Sequence, residues 1–115
     1  MRKSDLLYLH HIQDAIQRIE RHLADISREE FFRSELVQDA VVRQLEIMGE
    51  AASHVSQETR RLGPEIPWGQ IVGMRNRLVH AYFQVEVAIV WEIVQVDLPS
   101  LKQEVENMLG ASDLR

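Results

Sequence analysis

Two runs of apolar residues, each stepping by threes and fours, constrain this chain more than any other feature. Leu9, Ile12, Ile16, Ile19, Leu23 and Ile26 are spaced 3, 4, 3, 4, 3. Val87, Trp91, Val94, Leu98, Leu101, Val105 and Met108 are spaced 4, 3, 4, 3, 4, 3. At about 100° per residue such spacing gathers every member onto one side of a helix and leaves the charged residues on the other. A third stripe, Val37, Val41, Leu45, Met48, Ala52 and Val55, runs between them. No alternating apolar–polar segment competes with these stripes. The expected fold class is therefore all-α, an antiparallel bundle of four to five helices, with residues 1–115 as a single domain.

The breaks between stripes carry their own signals. Ser4 is the expected N-cap of the first helix. Ser27 and Glu30 have the spacing of a capping box, so a helix should begin near Arg28, with Phe31 and Phe32 covering the turn. A long helix is expected over 35–61, ended by Gly63-Pro64. Gly49 in its middle costs about 1 kcal/mol relative to alanine, and with Ala51 and Ala52 it suggests that another helix crosses closely. Pro67 suits the first turn of a short helix with Ile71, Met74 and Leu78 on its apolar face, ending near His80. The last helical region should cover 85–109. Pro99 falls inside it, and the stripe keeps its phase there, so a kink or two coaxial helices are expected rather than a turn. The first half of this region is apolar on more than one side, which fits either burial within the bundle or contact with a second copy. Trp68 and Trp91 are expected to anchor the core or an interface.

Composition narrows the function. With no cysteine, thiolate metal sites, disulfides and a cysteine nucleophile are excluded. The lack of a signal-peptide core and of any spanning apolar run makes the cytoplasm the expected location, with no membrane contact. A net charge of −5 argues against broad, non-specific nucleic-acid binding. The charge is uneven, however: Arg60, Arg61, Arg75 and Arg77 stand against a single acid, Glu65, over 60–77, whereas the rest of the chain from Phe83 on is acidic. An anion could be drawn to one place on an otherwise repelling surface.

That place holds the most unusual local chemistry. The segment Arg75-Asn76-Arg77-Leu78-Val79-His80-Ala81-Tyr82 brings two arginines, an amide, an imidazole and a phenol to the expected end of a short helix, where function commonly sits. On a helix Asn76 and His80 would be neighbours on one face, and the amide could fix the imidazole's tautomer. This set suits metal-independent RNA cleavage, in which a 2′-OH attacks the adjacent phosphate. Histidine moves protons near neutral pH, arginine stabilises the developing charge, and Tyr82 could position or stack the nucleotide. Arg77, Arg60 and Arg61 are candidate RNA contacts. No cofactor and no metal is called for. The competing reading is a helix C-terminus decorated with cations, which the helix dipole favours anyway.

The same segment resembles the Arg-x4-His-x-Tyr motif of the HEPN ribonucleases, specifically the HepT-like toxins. The resemblance extends to Asp39–Ala51 in the long helix, and to Trp91-Glu92-Ile93-Val94 and Asp97-Leu98-Pro99 in the last. It implies a HEPN bundle and a homodimer formed through the motif-bearing face and last helix, with both motifs in one cleft. It also implies ribonuclease chemistry carried by Arg75 and His80, with Asn76 in support. It further implies a toxin–antitoxin pair, in which an MNT-type nucleotidyltransferase transfers AMP from ATP to Tyr82 and so blocks RNA. A second class of function stays open: a non-catalytic helical partner of such a nucleotidyltransferase. Glu50 and His54, four apart, could ligate a metal but lack the further Glu and His residues that a di-iron bundle needs. His10 and His11 are expected to be surface or packing residues.

Overall fold

The computed structural model describes residues 1–80 and 84–113; for 75, 79, 80, 84 and 111–113 it describes the main chain alone. The protein is an all-α bundle. Helix α1 (Lys3–Leu23) packs along α3 (Glu35–Ser53), with α2 (Arg28–Arg33) turning the chain between them. Helices α4 (Gln57–Arg60), α5 (Trp68–Val72) and α6 (Met74–Leu78) are short. Two two-residue strands follow, β1 (Val79–His80) and β2 (Gln84–Val85). Helix α7 (Val87–Glu92) then runs through a π-helical turn, Ile93–Asp97, into α8 (Leu98–Asp113), which returns against α1. No helix among the described residues is long and apolar enough to cross a membrane.

The stripes build the core. Leu9, Ile12, Ile16 and Ile19 face Val41, Leu45, Met48 and Ala52, all essentially inaccessible to water. Leu23, Ile26 and Val37 pack at its margin. The capping box forms as expected: Ser27 Oγ accepts from the Glu30 N–H, and the Glu30 carboxylate accepts from the Ser27 N–H. Phe31 is fully buried, and Phe32 is partly buried beside it. Gly49 marks a close crossing: a β-carbon there would lie 2.8 Å from the carbonyl oxygen of Ile71 in α5. Trp68 is buried, its indole N–H shared between the carbonyls of Arg60 and Gly63.

The structure corrects the sequence expectations at four places. The first helix begins at Lys3, with Arg2 rather than Ser4 at its cap. The helix expected over 35–61 breaks after Ser53; the Ser56 hydroxyl then caps α4 by accepting from the Thr59 N–H. Its hydroxyl and N–H also donate to Asp5 in α1, which fixes the turn. The short helix expected to reach His80 is divided at Gly73 and stops at Leu78. His80 lies in β1, paired across from Gln84, while Val79 pairs with Val85. Those paired residues take Val85 out of the last helical region as well.

The fourth correction concerns Pro99. The chain stays helical through Pro99 rather than turning, and it widens just before it. The Leu98 N–H donates to the Ile93 carbonyl, five residues back. A proline ring clashes with the carbonyl four residues before it and offers no N–H, and a π turn is one way of absorbing that misfit. The widening also shifts the helix face. Upstream, Val90 and Ile93 are the fully buried positions, whereas Val87 and Trp91 are only half buried. Downstream, Leu98, Leu101, Val105 and Met108 are buried as the stripe requires. Trp91 instead packs its ring 5.3 Å from that of Phe31.

Candidate active site

Helix α6 is set by its two apolar residues. Met74 and Leu78, four apart, are both buried, and the absent side chain of Gly49 lets this part of the chain approach α3, with Met74 Cβ 3.5 Å from where a β-carbon would sit. The chain turns at Gly73 between α5 and α6, where the N–H groups of Asn76 and Arg77 both donate to the Gly73 carbonyl. With one face of α6 turned inward, Asn76 is left exposed on the outside. The Glu86 N–H donates to the Leu78 carbonyl at 2.9 Å, so the strand pairing begins as soon as the helix stops.

The expected site residues are distributed as follows. Arg75 and Asn76 lie on α6, and His80 lies two residues beyond its end on β1. The helical neighbourhood expected for Asn76 and His80 therefore does not apply, because the chain between them leaves the helix. The side chains of Arg75 and His80, and the whole of Tyr82, lie outside the described residues. Arg77 is half exposed and points to the π turn, its Nη2 3.7 Å from Asp97 Oδ2. Arg60 is committed to the main chain: its guanidinium donates to the carbonyls of Ala52 and Val55 at the end of α3 and lies 5.9 Å from the Trp68 ring centre. Arg61 is exposed.

Two features beside α6 were not read from the sequence. A cleft of about 270 Å³ lies beneath it, with Met48, Ile71 and Leu101 among its walls and the Arg77–Asp97 pair at its rim. The Asp97 contact depends on the π turn, which periodicity alone cannot reveal. The second is a groove between α1 and α3 that includes Gly49 and Val72. Glu50 and His54 meet there, Oε1 to Nε2 at 3.1 Å, but no group of three or more His, Cys, Asp and Glu suited to a metal ion occurs among the described residues. Tyr8 is the third member of that cluster; its i, i+3 spacing to His11 was the available signal.

With this geometry in place, comparison with known proteins settles the family. The Ribonuclease HepT-like family profile matches residues 12–108, which include the whole of α6 and β1. The chain belongs to the HepT-like ribonuclease family. Among HepT-like relatives, a protein of Thermococcus cleftensis named "Probable ribonuclease HepT" is 43% identical over 108 residues, covering 94% of this chain and 98% of its own. A Methanocaldococcus jannaschii protein that carries an RNase designation is 36% identical over 107 residues, 92% of this chain and 98% of its own. A longer protein of the same organism, named for a gamma-glutamylcyclotransferase and an RNase, is 39% identical over 113 residues, and the chain spans 51% of its length. No solved structure matches the chain.

Proposed function

We propose that the protein is a metal-independent endoribonuclease, the toxin of a toxin–antitoxin pair. The observation that carries this reading is the family match over residues 12–108, within which Arg75-x4-His80 spans the passage from α6 to β1. His80 takes the proton from a ribose 2′-OH as its oxygen attacks the adjacent phosphorus. The 5′-oxygen leaves with a proton, and a 2′,3′-cyclic phosphate remains. Arg75 holds the phosphorane charge, which needs no metal. Asn76, exposed on α6, supports the site from the helix end.

The active form is a homodimer, which supplies a second motif to the same cleft. Exposed apolar side chains on the last helical region, Ile89 and Val96 at 37% and 65%, support a second copy there. An MNT-type nucleotidyltransferase neutralises the protein by transferring AMP from ATP to the Tyr82 hydroxyl with release of pyrophosphate. The added charge and bulk then exclude RNA.

The test is cleavage of labelled RNA by the purified protein in excess EDTA, with His80→Ala as control. Cleavage that persists in EDTA and falls about 10²- to 10⁴-fold in the variant is the expected result. A folded, unmodified protein that leaves RNA intact would overturn the reading in favour of a non-catalytic partner of the nucleotidyltransferase.

A further inference from the structure

The groove between α1 and α3 has a built interior. The rings of Tyr8 and His54 are stacked, with centres 4.9 Å apart and planes 22° from parallel. The ring of His11 meets Tyr8 edge-on at 5.9 Å, and the Glu50 carboxylate holds His54 Nε2 at 3.1 Å. Arg43 and Glu46 complete the wall. Arg43 is exposed and has no ion pair among the described residues. The groove encloses about 710 Å³, within the usual range for small-molecule sites. Its wall includes Gly49 and Val72, and a β-carbon placed at Gly49 would lie 3.5 Å from the Cβ of Met74, the residue before Arg75. It therefore opens beside the start of α6.

We propose that this groove is a nucleotide subsite for single-stranded RNA, one base extending the Tyr8–His54 stack and Arg43 meeting a phosphate. The assignment rests on the ribonuclease reading above and adds to it a place for the strand outside the Arg75–His80 motif. The stack is the main argument. The His54 side chain is 49% exposed although Tyr8 lies against its ring, so surface remains for a further flat ring, and stacking tolerates any base. Glu50 orients the imidazole by accepting from it. One unpaired arginine beside an aromatic stack is the pairing of cation and π face that single strands use. The carboxylates Glu46 and Glu50 keep the groove from drawing anions indiscriminately, so its affinity must come from the base as well as the phosphate.

The test separates this subsite from the chemistry. Binding of a short fluorescein-labelled single-stranded RNA is followed by anisotropy in the His80→Ala protein, where cleavage cannot interfere. Adding His54→Ala should weaken binding about tenfold, while His54→Phe, which keeps a flat ring, should restore it. Both variants change an exposed residue and leave the core alone, and circular dichroism checks the fold. Arg43→Ala should weaken binding and reduce its salt dependence. An RNA lacking one base should bind the parent less tightly but lose nothing further in His54→Ala. With His80 intact, His54→Ala should raise KM and leave kcat near its original value. Equal binding by His54→Ala and the parent, or a His54→Phe protein as weak as His54→Ala, would overturn the subsite while leaving the ribonuclease reading to its own cleavage assay. AMP competing as tightly as the oligonucleotide would also overturn it, since the occupant would then be a free nucleotide.

Discussion

Two carboxylates join elements that are far apart in the chain, and they do so very differently. Asp5, in the first turn of α1, is 1% exposed. It accepts from the Ser56 N–H at 2.9 Å, the Ser56 hydroxyl at 2.6 Å and the Thr59 hydroxyl at 2.7 Å. Asp97, in the π turn, has a side chain 51% exposed and meets Arg77 at 3.7 Å. The first is a closed clasp, with donors on every side and little access for water. The second is a loose contact between the motif helix and the helix behind it. The end of the bundle that fixes the fold is thus tightly bonded, while the end that carries Arg75 and His80 rests on short helices, a two-residue strand pairing and a solvated ion pair. One contact is buried and saturated with donors, the other is open to water.

The comparison is broken most directly at the clasp. Asp5→Ala leaves three donors facing a buried gap, and should cost about 3 kcal/mol in urea unfolding while RNA cleavage at permissive temperature persists. Gly49→Ala tests the crossing that links the two ends. The new methyl meets the Ile71 carbonyl at 2.8 Å, and the strain outweighs the gain in helix propensity. A net loss of about 1–2 kcal/mol is expected, with Tm lower by about 4 °C for each kcal/mol. Because it displaces α5 and α6, this substitution should also lower cleavage, unlike Asp5→Ala.

A pH series sharpens the contrast. Burial pushes the Asp5 carboxyl up, but hydrogen bonds from the Ser56 side chain, the Ser56 main chain and Thr59, with Arg2 adding its charge, outweigh burial and hold it below the ordinary value of 3.8. A carboxyl lowered in the folded state contributes stability above its unfolded pKa and loses it as pH falls through the folded one. Unfolding free energy should therefore decline below about pH 4, and Asp5→Asn should flatten that decline. The smallest effect is expected at Asp97→Ala, below about 1 kcal/mol and reduced further by salt. A larger loss at this position would show that the motif end is as firmly clasped as the other.

Much of the fold was legible in the sequence because its signals are local. The stripe in α1, the Ser27–Glu30 box and the small residue at Gly49 each act through neighbours a few positions away or through one close approach. The clasp was not legible: Ser56 reads as part of a continuing helix until Asp5, some fifty positions earlier, is known to accept from it. The motif was legible as a mark of the family, but its geometry was not. Nothing in Arg75–Tyr82 says that α6 ends at Leu78, since the pairing of Val79 with Val85 depends on a return of the chain. Tyr8 was missed because a partly buried tyrosine at helical spacing reads as packing until its partner across the groove, His54, is seen.

The π turn at Ile93–Asp97 bears on how relatives of this chain should be compared. A helix that carries one residue in excess holds an insertion that no loop announces. Among homologues, a single-residue difference in length near these positions would be a change of helical register rather than a gap in a connection. Aligning such chains by their apolar stripe alone would then match Val87 and Trp91 to the wrong positions, while the residues after Pro99 would still align correctly.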